Sequence, residues 1–129
     1  MKKLILSLIA SLGLFSSCTA NDSIQVLKPQ EFIAQAQADS SAVLLDVRTP
    51  QEYAEGHLEG ARLLDYLNTE AFDEGVKQLD KQHTYYIYCR SGRRSNGAAQ
   101  KMKKQGFRVF DMQGGIKNWL QQGLPVTTK

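Results

Sequence analysis

Short apolar runs alternate with stretches of helical spacing along most of the chain. Ile24 to Leu27 is a short apolar run and reads as a strand. Pro29 then opens a helix, where its missing N–H is harmless, and Phe32, Ile33 and Ala36 fall on one face of it. Val43-Leu44-Leu45 is a continuous apolar run, the pattern of a strand covered on both faces, and it runs into Asp46-Val47-Arg48. Thr49-Pro50-Gln51-Glu52 is a helix start: Thr as N-cap, Pro at the first position, Glu closing a capping box, with Gly56 ending the helix. Ala61 to Leu64 can form another short strand, and Leu67 to Leu79 carries a weak helical pattern through Ala71, Phe72 and Val76. Thr84 to Tyr88 is β-branched and aromatic, hence a strand, and the alternation of Tyr85, Tyr86 and Tyr88 sends at least one of them to the core. Ser91 to Gln105 reads as a helix with Gly97, Ala98 and Ala99 on one side and Gly106 just past its end. Phe107 to Asp111 is the last strand, Gly114-Gly115 a turn, and Ile116 to Gln121 a final short helix. Strands alternating with helices predict an α/β fold, a parallel sheet flanked by helices on both faces.

The first residues follow a different pattern. Lys2 and Lys3 precede the uncharged stretch Leu4 to Phe15, which is long enough for a signal-peptide core. It is too short for a membrane span, which takes about 20 apolar residues. Ser16 and Ser17 then stand before Cys18, an arrangement that resembles the bacterial lipoprotein signal. It implies a signal peptide over residues 1–17, cleavage before Cys18, acylation of Cys18, a polar tether over 18–23 and one domain over 24–129. The expected place is the cell envelope, lipid-anchored and facing the periplasm. Thr19, rather than Asp, after the cysteine favours the outer membrane. Cleavage after Ala20 would instead give a soluble periplasmic protein.

Composition changes this picture only by exclusion. With 42% hydrophobic and 22% charged residues the chain is an ordinary globular one, not a disordered one. A formal charge of +3, with no basic run longer than three residues, nominates no nucleic acid. Cys18 and Cys89 cannot build a disulfide scaffold, and no Cys/His spacing suggests a metal site. With Cys18 acylated, Cys89 would be the one free thiol, and no intramolecular disulfide could consume it.

The candidate chemistry follows the Thr84 to Tyr88 strand. Cys89-Arg90-Ser91-Gly92-Arg93-Arg94-Ser95 lies between a strand and a helix, where open α/β sheets bind ligands. The loop amides and the positive end of the helix dipole favour an anion there. Arg90, Arg93 and Arg94 stand at the helix end that the dipole makes unfavourable for cations, which suggests that something negative binds. Gly92 permits the tight curvature of an amide cradle. A cysteine at the head of such a loop reads as a thiolate nucleophile, against the plainer reading of a buried filler.

The chain resembles the single-domain rhodaneses, sulfurtransferases of the thiosulfate sulfurtransferase family. The resemblance rests on three ordered blocks. The first is Leu45-Asp46-Val47-Arg48 with Glu52-Tyr53, Gly56-His57-Leu58 and Gly60-Ala61. The second is the loop from Cys89 to Ser95, and the third is Gly114-Gly115-Ile116 with Trp119 and Gly123-Leu124-Pro125. The resemblance implies a five-stranded parallel sheet and a sulfur transfer that needs no metal or organic cofactor. A small anionic donor such as thiosulfate would give its sulfane sulfur to catalytic Cys89, and cyanide or a thiol would accept it from the persulfide. The amides of residues 90–94 would hold the persulfide, with Arg90, Ser91, Gly92, Arg93 and Arg94 as the binding residues. Asp46 and Arg48 would either pair to brace the loop or simply end their strand. His57 and Trp119 are expected to pack rather than to react. Arg62-Leu63 replaces the Asn-Ile common at that point among relatives.

Two other functions fit less of the pattern. A cysteine-dependent phosphatase or arsenate reductase needs the Cys-x5-Arg spacing, but Ser95 stands at that position and Arg94 falls one residue early. A non-catalytic binding module on the same fold would not need the cysteine.

Overall fold

The computed structural model describes residues 23–129. The leader, its cleavage site, Cys18 and the tether up to residue 22 lie outside the described residues. Ten elements alternate along the chain: β1 (Gln25–Leu27), α1 (Pro29–Ala38), β2 (Ala42–Asp46), α2 (Pro50–Glu55), β3 (Arg62–Leu63), α3 (Thr69–Lys77), β4 (Thr84–Tyr88), α4 (Arg93–Lys104), β5 (Arg108–Met112) and α5 (Gly115–Gln121). The strands form one five-stranded sheet in the order β1-β5-β4-β2-β3, every pair parallel.

β4 is the middle strand, and all of its residues are buried. Its side chains alternate between two cores, as the pleat requires. Tyr85, Ile87 and Cys89 join Val43, Leu45, Phe72, Val76, Ala98, Ala99 and Met102 under α3 and α4. Tyr86 and Tyr88 join Phe32, Ala36, Leu58, Ile116 and Trp119 under α1 and α5. So all three tyrosines are interior, more than the alternation alone required. Each hydroxyl keeps a partner: Tyr85 donates to Asp80 O, Tyr86 to Asp39 and Tyr88 to Asp46. A buried phenol without one would carry a large desolvation cost.

Element ends shift by a residue or two from the sequence reading. The shift that bears on the site is at α4, which starts at Arg93 rather than Ser91 because Gly92 takes the left-handed conformation, φ 110°, as its N-cap. Of the two residues released to the loop, Gly92 is the one whose N–H meets the Cys89 sulfur. At α2 the expected capping box is formed in full. Glu52 N donates to Thr49 Oγ1 at 3.2 Å, and Thr49 N donates back to Glu52 Oε1 at 3.0 Å. No helix among the described residues is long and apolar enough to cross a membrane.

Candidate active site

Cys89 stands one residue past β4, at the carboxyl edge of the sheet, with 1% of its surface exposed. Its backbone fixes the loop before any side chain acts. Ile116 N donates to Cys89 O at 2.9 Å and Lys117 N donates to Arg90 O at 3.0 Å. The first turn of α5 therefore holds both carbonyls. A trans peptide points its N–H opposite to its C=O, so the amides of Arg90 and Ser91 face away from α5. The loop then turns at Gly92, whose N–H donates to Cys89 Sγ at 3.1 Å. That contact gives the Cys89 sulfur a polar partner, which a cysteine that merely fills space does not need.

The close approach of α5 depends on Gly115. A Cβ there would run into the carbonyl of Arg90 and lie 2.6 Å from Cys89 O, and the backbone is left-handed at φ 64°. The Gly114-Gly115 pair, read from the sequence as a turn, is thus the seat of the Cys89 loop.

Asp46 and Arg48 do pair, and they do it inside the protein. Arg48 Nη2 meets Asp46 Oδ2 at 2.7 Å, Arg48 Nε donates to Oδ1 at 2.9 Å, and both side chains are almost fully buried. Tyr88 OH donates to Asp46 Oδ2 at 2.7 Å, and Arg48 Nη2 reaches Gly56 O at 2.7 Å. Leu58 N donates to Tyr88 OH at 3.0 Å. The network ties the ends of β2 and α2 to the residue just before Cys89. Burial is the main reason the Tyr88 phenol is held far above its ordinary pKa, so it serves as a fixed donor.

The loop arginines divide into two kinds. Arg90 and Arg93 are exposed, and neither joins an ion pair among the described residues. Arg94 is committed. Its Nη1 and Nη2 donate to the two oxygens of Glu52 at 2.8 and 3.0 Å. The sequence reading pointed Arg94 at the substrate anion. In the structure its terminal nitrogens hold the Glu52 carboxylate, with Cys89 nearby. Glu52, read from the sequence only as a capping residue, holds α2 to α4 across the site. Ser91 is exposed on the loop's outer surface.

The clamp has a pH signature. The Arg94 hydrogen bonds, together with those from Thr49, pull the Glu52 carboxyl down to about 2 from 4.5. A carboxylate with a lowered folded pKa stabilises the fold above its unfolded pKa, and that contribution fades as pH falls through the folded value. Replacing Glu52 by Gln should therefore cost about 1–3 kcal/mol at pH 7. The cost should shrink steadily between about pH 4.5 and pH 2. Urea unfolding of both proteins over that range measures it, and a difference that stays constant with pH would show that the pair is not the source.

His57 and Trp119 pack, as expected. His57 is buried, stacked on Tyr53 with ring centroids 3.6 Å apart, and its Nδ1 lies 2.7 Å from Tyr53 O. Trp119 Nε1 donates to Pro125 O at 3.0 Å. Neither has a contact with Cys89 among those described.

This geometry has counterparts. The rhodanese-like domain family matches the chain over residues 28–122. The chain belongs to the rhodanese-like domain family. This rhodanese-like domain is 38% identical over 98 residues to a sulfurtransferase of Allochromatium vinosum, covering 74% of this chain and 89% of that one. It is 32% identical over 87 residues to the thiosulfate sulfurtransferase GlpE of Stutzerimonas stutzeri, covering 67% of this chain and 77% of that one. A match to the putative sulfur carrier protein YrkF of Bacillus subtilis, at 34% identity, spans only 51% of that longer chain. Among solved structures, a rhodanese-related protein of Thermoplasma volcanium superposes with TM-score 0.72 at 24% identity, over 81% of this chain and 99% of that one. That likeness bears on the fold. The named relatives support a sulfur-transfer function in general for this rhodanese-like domain.

Proposed function

We propose that this rhodanese moves a sulfane sulfur from a small anionic donor such as thiosulfate, through a persulfide on Cys89, to a nucleophilic acceptor. The Cys89 thiolate attacks the outer sulfur of thiosulfate. A bond forms between the two sulfurs, the original sulfur–sulfur bond breaks, and sulfite leaves with the electron pair. Cyanide, a small thiol or a protein thiol then attacks the terminal sulfur, taking it as thiocyanate or a new persulfide and returning the Cys89 thiolate. No net oxidation occurs, so no cofactor enters.

The observation that carries this reading is the Gly92 amide on Cys89 Sγ at 3.1 Å, at the head of a loop whose outer carbonyls are already bound. Such an amide stabilises sulfur anions, the state that begins and ends each half-reaction. Exposed Arg90 and Arg93 would draw the donor toward the loop, and Arg94, fixed by Glu52, would supply a stationary positive charge beside the sulfur. The Cys-x4-Arg spacing and the commitment of Arg94 both oppose a phosphatase, which needs an arginine free to hold phosphate.

The proposal includes location: Cys18 as the acylated first residue, holding the domain at the periplasmic face of the outer membrane. Its support is the Lys2-Lys3, Leu4 to Phe15, Ser16-Ser17-Cys18 order. A single acyl chain binds membranes only marginally, and the lipoprotein modification adds more than one. Two measurements test the whole. Purified protein given thiosulfate and cyanide should release sulfite and thiocyanate in equal amounts. Cell fractionation should find the protein with the outer membrane, carrying lipid mass on Cys18. Absence of turnover with any sulfane donor removes the chemistry. A soluble periplasmic protein beginning after residue 18 removes the anchor alone.

A further inference from the structure

All the strands run one way, so the sheet has an amino edge and a carboxyl edge. Cys89 follows β4 at the carboxyl edge. The chain enters the domain at the other one. Ser23 stands two residues before β1, and Lys103, in the last turn of α4, donates to Ser23 O at 2.8 Å. At the rise of a parallel strand, the amino end of β4 is about 16 Å from Cys89. The entry point and the Cys89 loop are therefore at opposite ends of the sheet.

Cations gather at the entry. Lys104 ends α4, and Arg108 opens β5 in register with Thr84, its Nη2 3.5 Å from Gln82 O. Lys81 comes from the turn before β4, with its Nζ 5.4 Å from the centre of the Phe107 ring. Lys81, Lys104 and Arg108 are all exposed. Against them stand Asp39, just before β2, Asp80, just before Lys81, and Asp22 in the tether. The excess of positive charge is small, so the cluster can steer the domain but not anchor it.

Charge alone does not choose a membrane-facing side, because exposed Arg90 and Arg93 make the Cys89 edge cationic too. The path of the chain chooses it. The steps from Cys18 to Ser23 extend at most about 18 Å. A lipid on Cys18 would therefore keep the amino edge close to the headgroups. There a small attraction is enough to orient a domain that cannot diffuse away.

We propose that Lys81, Lys104 and Arg108 seat the amino edge of the sheet on an anionic phospholipid surface, with the Cys89 loop facing the aqueous side. This rests on the reading of Cys18 as a lipid anchor. Its consequence for the chemistry is that the sulfur acceptor is water-soluble and arrives from the aqueous side, not from within the bilayer.

The test is lysine-by-lysine labelling of the acylated protein with a membrane-impermeant amine reagent, read by mass spectrometry. The protein is placed in vesicles of phosphatidylcholine alone or of phosphatidylcholine with phosphatidylglycerol. The anionic vesicles should slow the labelling of Lys81 and Lys104 by about three- to fivefold. Lys28, just after β1, and Lys117, beside the Cys89 loop, are exposed at the carboxyl edge and should label equally in both. High salt should erase the difference. Lys104→Glu should release Lys81 from protection and leave sulfur transfer to a soluble acceptor unchanged. Equal labelling of Lys81 and Lys104 in both vesicles overturns the proposal, as does protection of Lys117 in their place. The same spectra report the lipid on Cys18. A chain without it removes the anchor and this orientation together, whereas an acylated chain without protection removes this orientation alone.

Discussion

Cys89→Ser is expected to abolish sulfur transfer and leave the fold in place. The hydroxyl that replaces the thiol is scarcely ionised at any working pH and is a poor leaving group from a sulfur chain, so neither half-reaction has a carrier. The structural cost is small. The serine oxygen can accept the Gly92 amide that now meets Sγ at 3.1 Å, and the residue it replaces is a small member of the core under α3 and α4. A buried hydroxyl with one good partner costs about 1 kcal/mol or less relative to a thiol. Thiocyanate formation should fall to the uncatalysed rate, while the circular dichroism spectrum and the urea midpoint stay close to wild type. Activity surviving in a folded variant would place the sulfur carrier elsewhere.

The second large effect concerns stability rather than chemistry. Arg48→Met should destabilise the domain by about 3–5 kcal/mol, because it strands a buried carboxylate. Asp46 is fully buried, and Arg48 supplies its countercharge through Nε and Nη2. With Arg48 gone, Asp46 keeps, among the described residues, only Tyr88 OH and the backbone amide of residue 48. Natural domains hold about 5–15 kcal/mol in total, so this variant should approach the threshold of folding. Adding Asp46→Asn to it should recover much of the loss, since the uncompensated charge is what costs most. Urea unfolding of the two singles and the double gives the coupling energy. A single-variant cost below about 1 kcal/mol would mean that water reaches the pair and that it does not brace the sheet edge.

The parts of this molecule that are local in sequence were legible in the sequence. Thr49, Pro50 and Glu52 announce a helix start because a capping box closes within one turn, and the structure builds it at those residues. The Thr84 to Tyr88 run announces the strand that leads to Cys89, and its bounds agree with the structure. The Asp46–Arg48 pair was legible as an alternative, since two opposite charges two residues apart at a strand end can either pair or diverge. Burial decides for pairing. What escaped is long-range. Glu52 and Arg94 are 42 positions apart, and each already had a sufficient local explanation, one as a cap and the other as an anion ligand. Asp111 reads as the polar end of a strand, and nothing near it in sequence announces that it is buried with one carboxyl oxygen unpartnered among the described residues. The strand order β1-β5-β4-β2-β3 likewise depends on which helices cover which face, not on any one segment. Gly92 shows the limit of periodicity: the helical pattern runs back to Ser91, but a left-handed residue stops the helix two positions later.

The central claim is that Cys89 carries sulfur, and the most direct measurement is the mass of the Cys89 peptide after the protein meets thiosulfate and excess donor is removed. The account predicts a gain of one sulfur atom on that peptide, lost on addition of cyanide or a thiol and absent in Cys89→Ser. An unchanged mass on the Cys89 peptide in folded, reduced protein, with any sulfane donor offered, would contradict it.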